Sequence, residues 1–80
     1  MTIRYYIYEG YHSIQDKLSS DRVKAIAITL DREVGNEGLS NMTLATLIRL
    51  IAENKGYRDI DVSEVFQELL RVGFFERIET

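Results

Sequence analysis

Asp61-Val62-Ser63-Glu64-Val65-Phe66-Gln67-Glu68-Leu69-Leu70-Arg71-Val72-Gly73-Phe74-Phe75 decides how this chain is read. Asp61 and Glu64 stand three apart just ahead of an apolar run. That is the spacing of a capping box, with Asp in place of Ser or Thr, whose side chain accepts from a backbone N–H left free by the first helical turn. Val62, Val65, Phe66, Leu69 and Leu70 then recur at helical spacing and give the helix one apolar face. Gly73 supplies the stop, because the residue after a helix commonly adopts a left-handed backbone. Phe74-Phe75-Glu76-Arg77-Ile78-Glu79 follows as a short strand.

Toward the N-terminus, Tyr57-Arg58-Asp59-Ile60 has the length of a connection between neighbouring helices. A second helix precedes it from about Asn41 to Gly56, with Leu44, Leu47, Ile48 and Ile51 on one face. Gly35-Asn36-Glu37-Gly38 is a loop by composition. Before it, Val23, Ile26, Ala27, Leu30 and Val34 form another helical stripe. Ser19 or Ser20 caps its start, Asp21 suits the first turn, and Gly35 ends it. A rival reading alternates Ile26, Ile28 and Leu30 against Ala25, Ala27 and Thr29 as a strand. The helix accounts for more positions and for the caps, and is preferred.

The first nine residues are rich in Tyr and Ile, which suit a half-buried strand. Ile3, Tyr5, Ile7 and Glu9 would share one face; Arg4, Tyr6 and Tyr8 the other. Gly10 breaks the strand, and the stretch from Tyr11 to Ser19 reads as a short helix or turn, with Ile14 and Leu18 one turn apart. The natural partner of the N-terminal strand is the C-terminal one, which would bring the termini together. The expected architecture is α+β and mostly helical: three main helices with short N- and C-terminal strands, in a single domain spanning residues 1–80.

Eighty residues with 45% apolar content suffice for one core. There is no cysteine, which excludes disulfides and thiolate metal sites. Apolar runs are too short to cross a bilayer, and the N-terminus lacks the basic and apolar regions of a signal peptide, so the cytoplasm is expected. Ten basic against thirteen acidic residues leave a net charge of −3. That balance disfavours anionic membranes, and it gives no global attraction for phosphate.

Catalytic constellations are weak. His12 is the only histidine, which rules out a multi-histidine metal site, and no nucleophile elbow accompanies the available serines and aspartates. It reads as a surface or turn residue. Asp59, Asp61 and Ser63 imitate the start of a calcium loop, but Glu64 stands where that loop needs glycine and Leu70 where it needs its bidentate glutamate. Gly35-Asn36-Glu37-Gly38 has no phosphate-binding lysine behind it. Neither a cofactor, a metal nor a small-molecule substrate is expected, and an enzyme is the least supported class.

Two surfaces attract more interest. Tyr5, Tyr6, Tyr8 and Tyr11 fall within seven residues, and on a strand they cannot all face one core. Tyrosines are frequent anchors in protein interfaces, so these four, with Glu64 and Glu68, form a candidate protein-binding set. The other surface is the helix from Asp61. Helix, turn, helix, leucine-rich turn, glycine and strand resemble the winged helix-turn-helix family, through Glu64-Val65-Phe66-Gln67-Glu68-Leu69-Leu70-Arg71-Val72-Gly73-Phe74-Phe75, with Ser20 to Val34 as the family's first helix.

The resemblance implies a recognition helix with Ser63, Gln67 and Arg71 facing duplex DNA, where Gln can pair with adenine and Arg with guanine. Lys55, Arg58 and Arg77 would hold phosphates. This sequence departs from the family pattern in two respects: Glu64 and Glu68 lie on the same outward face, and the wing is truncated, with one strand and no return hairpin. Two functions follow as expectations. One is a small DNA-associated regulator of transcription, acting as a dimer through the 61–72 helix. The alternative is a protein-binding module or inhibitor of bacterial or phage type, using its tyrosines and acidic helix face.

Overall fold

A computed structural model of the chain describes residues 2–8, 10 and 15–80. Its elements run β1 (Ile3–Ile7), α1 (Asp21–Val34), α2 (Asn41–Asn54), α3 (Val62–Arg71) and β2 (Phe75–Glu79). The class is α+β, with three helices and a two-stranded antiparallel sheet made from the two ends of the chain. The stretch open to a strand reading is helical throughout. The expectations for Glu9, Tyr11, His12 and Ile14 lie outside the described residues.

Each helix starts on a side-chain cap. The Ser20 hydroxyl accepts from Val23 N at 3.2 Å, Ser40 from Thr43 N at 3.2 Å, and Asp61 Oδ1 from Glu64 N at 3.1 Å. The end of α3 is fixed by Gly73 at φ 89, a conformation that a side chain disfavours. Around it Gly73 N donates to Leu70 O at 3.2 Å and Phe74 N to Leu69 O at 2.9 Å, the paired bonds of a Schellman ending. This reversal turns both Phe74 and Phe75 inward, where they are buried.

The core is one cluster drawn from all three helices, with Leu18 ahead of α1 and the two phenylalanines behind α3. Ile26, Leu30, Leu44, Ile48, Leu69 and Phe74 are fully buried, each contributing roughly 1.5–3 kcal/mol of hydrophobic stabilisation. Leu47, expected on the buried face of α2, is only half-buried; Ala52 takes the deeper place. The cause is position. α2 packs against both α1 and α3, so its buried arc centres on Leu44 and Ile48 and leaves Leu47 on the α1 flank.

In the sheet, Ile3 pairs with Glu79, Tyr5 with Arg77 and Ile7 with Phe75. On its other side β1 makes a single bridge: Tyr5 N donates to Leu39 O at 2.8 Å and Leu39 N to Tyr5 O at 3.0 Å. The N-terminal strand therefore lies between β2 and the segment that joins α1 to α2. It occupies the place beside β2 that a return hairpin would have filled. No helix is long and apolar enough to cross a membrane, among the described residues.

Candidate functional site

The outward arc of α3 follows from the inward one. With Val65, Phe66 and Leu69 buried, helical geometry turns Ser63, Glu64, Gln67, Glu68 and Arg71 away from the core. These five line one shallow depression of about 250 Å³. Ser63, Gln67 and Arg71 are thus brought together and exposed, with Glu64 beside them.

Glu68 behaves differently from the free acidic group expected at an interface. Its Oε2 accepts from Ser19 N and its Oε1 from the Ser19 hydroxyl, both at 2.7 Å. Both carboxylate oxygens are engaged by the turn that leads into α1. Glu68 therefore ties the start of the helical region to α3, and the surface charge left open is Glu64.

The three phosphate-holding candidates are not assembled around this arc. Lys55 lines a separate groove between α1 and α2, with Thr29, Glu33, Leu47 and Leu50. Arg58 is exposed in the turn before α3. Arg77, on β2, pairs with Glu79 at 2.8 Å and so carries its own counter-charge. Arg49 was not singled out by pattern, yet it lines a depression with Thr46 and Val62, next to the first turn of α3. No sequence signal marks it, because its closeness to Val62 depends on how α2 crosses α3.

The tyrosines divide by strand parity. Tyr5, counted among the interface candidates, points inward instead: its ring meets Phe66 edge-on at 5.3 Å and Phe75 at 6.4 Å. Tyr6 and Tyr8 face outward and are 37% and 41% exposed. The Tyr6 ring lies over Gly38, where a Cβ would collide with it, and a Cβ on Gly10 would come within 2.7 Å of the Tyr8 ring. Tyr6, Tyr8, Glu76 and Ile78 line a depression of about 430 Å³ on the outer sheet face. Tyr57 is occupied within the fold by the Arg22 guanidinium, 5.2 Å above its ring.

Asp61, the centre of the calcium-like spacing, directs its carboxylate at the α3 N-terminus. Serving as a helix cap accounts for it. No family model, curated protein or solved structure matches the chain.

Proposed function

We propose that this chain is a small, non-enzymatic DNA-associated regulator of transcription that acts in the cytoplasm as a dimer and contacts duplex DNA through α3. The observation that carries the reading is the joint exposure of Ser63, Gln67 and Arg71 on the second helix of a capped helix–turn–helix pair. The strand β1, lying beside β2, supports it further, because it supplies from the N-terminus the strand that a truncated wing lacks. Fold analogy is an association and not a mechanism, so the weight rests on the side chains.

Electrostatics set the expected behaviour. With a net charge of −3 and with Arg77 engaged by Glu79, few phosphate contacts are available. Binding should therefore be weak and fall only gently with salt, since the slope follows the number of phosphates neutralised. Fluorescence anisotropy of a labelled duplex at low salt is the direct measurement. Arg71→Ala should weaken binding about tenfold or more, as loss of a base-reading arginine does. Glu64→Gln should tighten it by removing the unpaired charge beside that arginine. No binding at low salt, or equal binding by wild type and Arg71→Ala, rejects the reading.

A second reading has its own observation, the exposure of Tyr6, Tyr8 and Ile78 around one depression on the sheet. A protein partner docking there would be lost in Tyr6→Ala with Tyr8→Ala, while duplex binding by α3 stayed unchanged. Reversal of Glu68 is unsuited to this comparison, because it also breaks the tie to Ser19.

A further inference from the structure

β2 has two edges, and only one is used. Thr2 N donates to Thr80 O at 2.8 Å, Thr80 N to Thr2 O at 2.9 Å, and Tyr8 N to Phe74 O at 2.9 Å. In an antiparallel ladder successive residues turn their N–H and C=O to opposite edges. Glu76 and Ile78 therefore face β1, while Phe75, Arg77 and Glu79 present their backbone groups to the outer edge. The same alternation sends the Tyr5 groups away from β2, where Leu39 meets them. No backbone bond to another described residue occupies the outer groups of Arg77 and Glu79.

Charged side chains on an edge strand ordinarily discourage further pairing. Here their order matters more than their presence. Two copies of β2 can meet antiparallel about a two-fold axis at Glu76, Arg77 or Ile78 while keeping their outward backbone groups face to face. An axis at Glu76 sets glutamate against glutamate. An axis at Arg77 sets arginine against arginine. An axis at Ile78 sets Arg77 opposite Glu79 of the second copy, and Glu79 opposite its Arg77, with the two Ile78 side chains meeting at the axis.

We infer that the chain self-associates through β2, joining two copies into one continuous four-stranded sheet with its two-fold axis at Ile78. The occupant of the edge is a second copy because the strand is complementary to itself in this register. Each Arg77–Glu79 pair forms two backbone hydrogen bonds, and like charges are absent from directly opposed positions. Arg77 and Glu79 already lie 2.8 Å apart within one strand, so the dimer turns a lone surface pair into an alternating group of four charges. On the opposite face Ile78, 42% exposed, is covered by its counterpart, and the apolar surface continues into Tyr6. This inference stands on the strand edge and is independent of what α3 contacts.

Sedimentation or light scattering without nucleic acid tests it, over about a hundredfold range of concentration. Wild type should rise from monomer toward dimer mass. Arg77→Glu alone and Glu79→Arg alone each place like charges opposite one another and should weaken association at least about tenfold. Mixing these two single variants should restore it as a heterodimer, and so should the double exchange Arg77→Glu with Glu79→Arg in one chain. A monomer at every concentration overturns the inference. So does a dimer indifferent to the single reversals, or one rescued by mixing but not by the double exchange, which would place the axis at Arg77. Circular dichroism of each variant reports whether the fold is kept.

Discussion

Glu68 is on the outward side of α3, yet both its oxygens are directed at Ser19, a residue 49 positions earlier. Hydrogen bonds to a charged acceptor are among the stronger ones, but partial exposure reduces what this one contributes. Glu68→Ala and Ser19→Ala should each destabilise the fold by about 1 kcal/mol, and the double change by less than their sum, because they remove one interaction. Urea unfolding of the four proteins gives the coupling; strictly additive effects would mean that the contact contributes nothing in solution. Asp61→Ala is a simpler case, expected to cost about 1 kcal/mol through loss of the α3 cap. Asp61 could be read as a cap from its spacing to Glu64. Periodicity likewise placed Glu68 outward, but it holds no information about Ser19, because that closeness is created only when α3 meets the turn before α1.

At the scale of elements, helix limits were legible wherever a local signal was complete. Ser20 with Gly35 bounds α1, and Asp61 with Gly73 bounds α3. Ser40, the cap of α2, belongs to the same residue class but was not picked out ahead of Asn41. What single elements do not encode is which neighbour they meet. That is why Tyr5 was counted with the interface candidates, although alternation alone sets it opposite Tyr6 and Tyr8. Its ring joins β1 to α3 through Phe66 and to β2 through Phe75. Tyr5→Ala should therefore cost about 3 kcal/mol or more, as aromatic truncation in a core does, whereas Tyr6→Ala should cost far less. Chemical denaturation distinguishes them, and equal losses would contradict the inward placement of Tyr5. The same limit applies to the candidate site. Ser63, Gln67 and Arg71 share one helix face and could be grouped from sequence, but Lys55, Arg58 and Arg77 sit on three different elements and are dispersed by the fold.

For the whole molecule the decisive pairing is between its ends. Thr2 and Thr80 exchange two backbone hydrogen bonds, the arrangement of the residues that flank a two-residue hairpin turn. Joining Thr80 to Thr2 through Asn-Gly should close β2 and β1 into a hairpin without moving either strand, since that dipeptide favours the turn whose twist matches the flanking strands. New ends can then be opened between Asn36 and Glu37, both exposed in the connection between α1 and α2. The opening must spare Leu39, whose bridge to Tyr5 holds the other side of β1. Such a permuted chain should fold with the parent's circular dichroism spectrum and a stability within about 2 kcal/mol of it, because the contacts are unchanged and only the order of the chain differs. The hairpin so formed has the connectivity of a wing following α3. If duplex binding through α3 occurs, it should survive the permutation. An unfolded permutant would show that the two ends are not paired as β1 and β2.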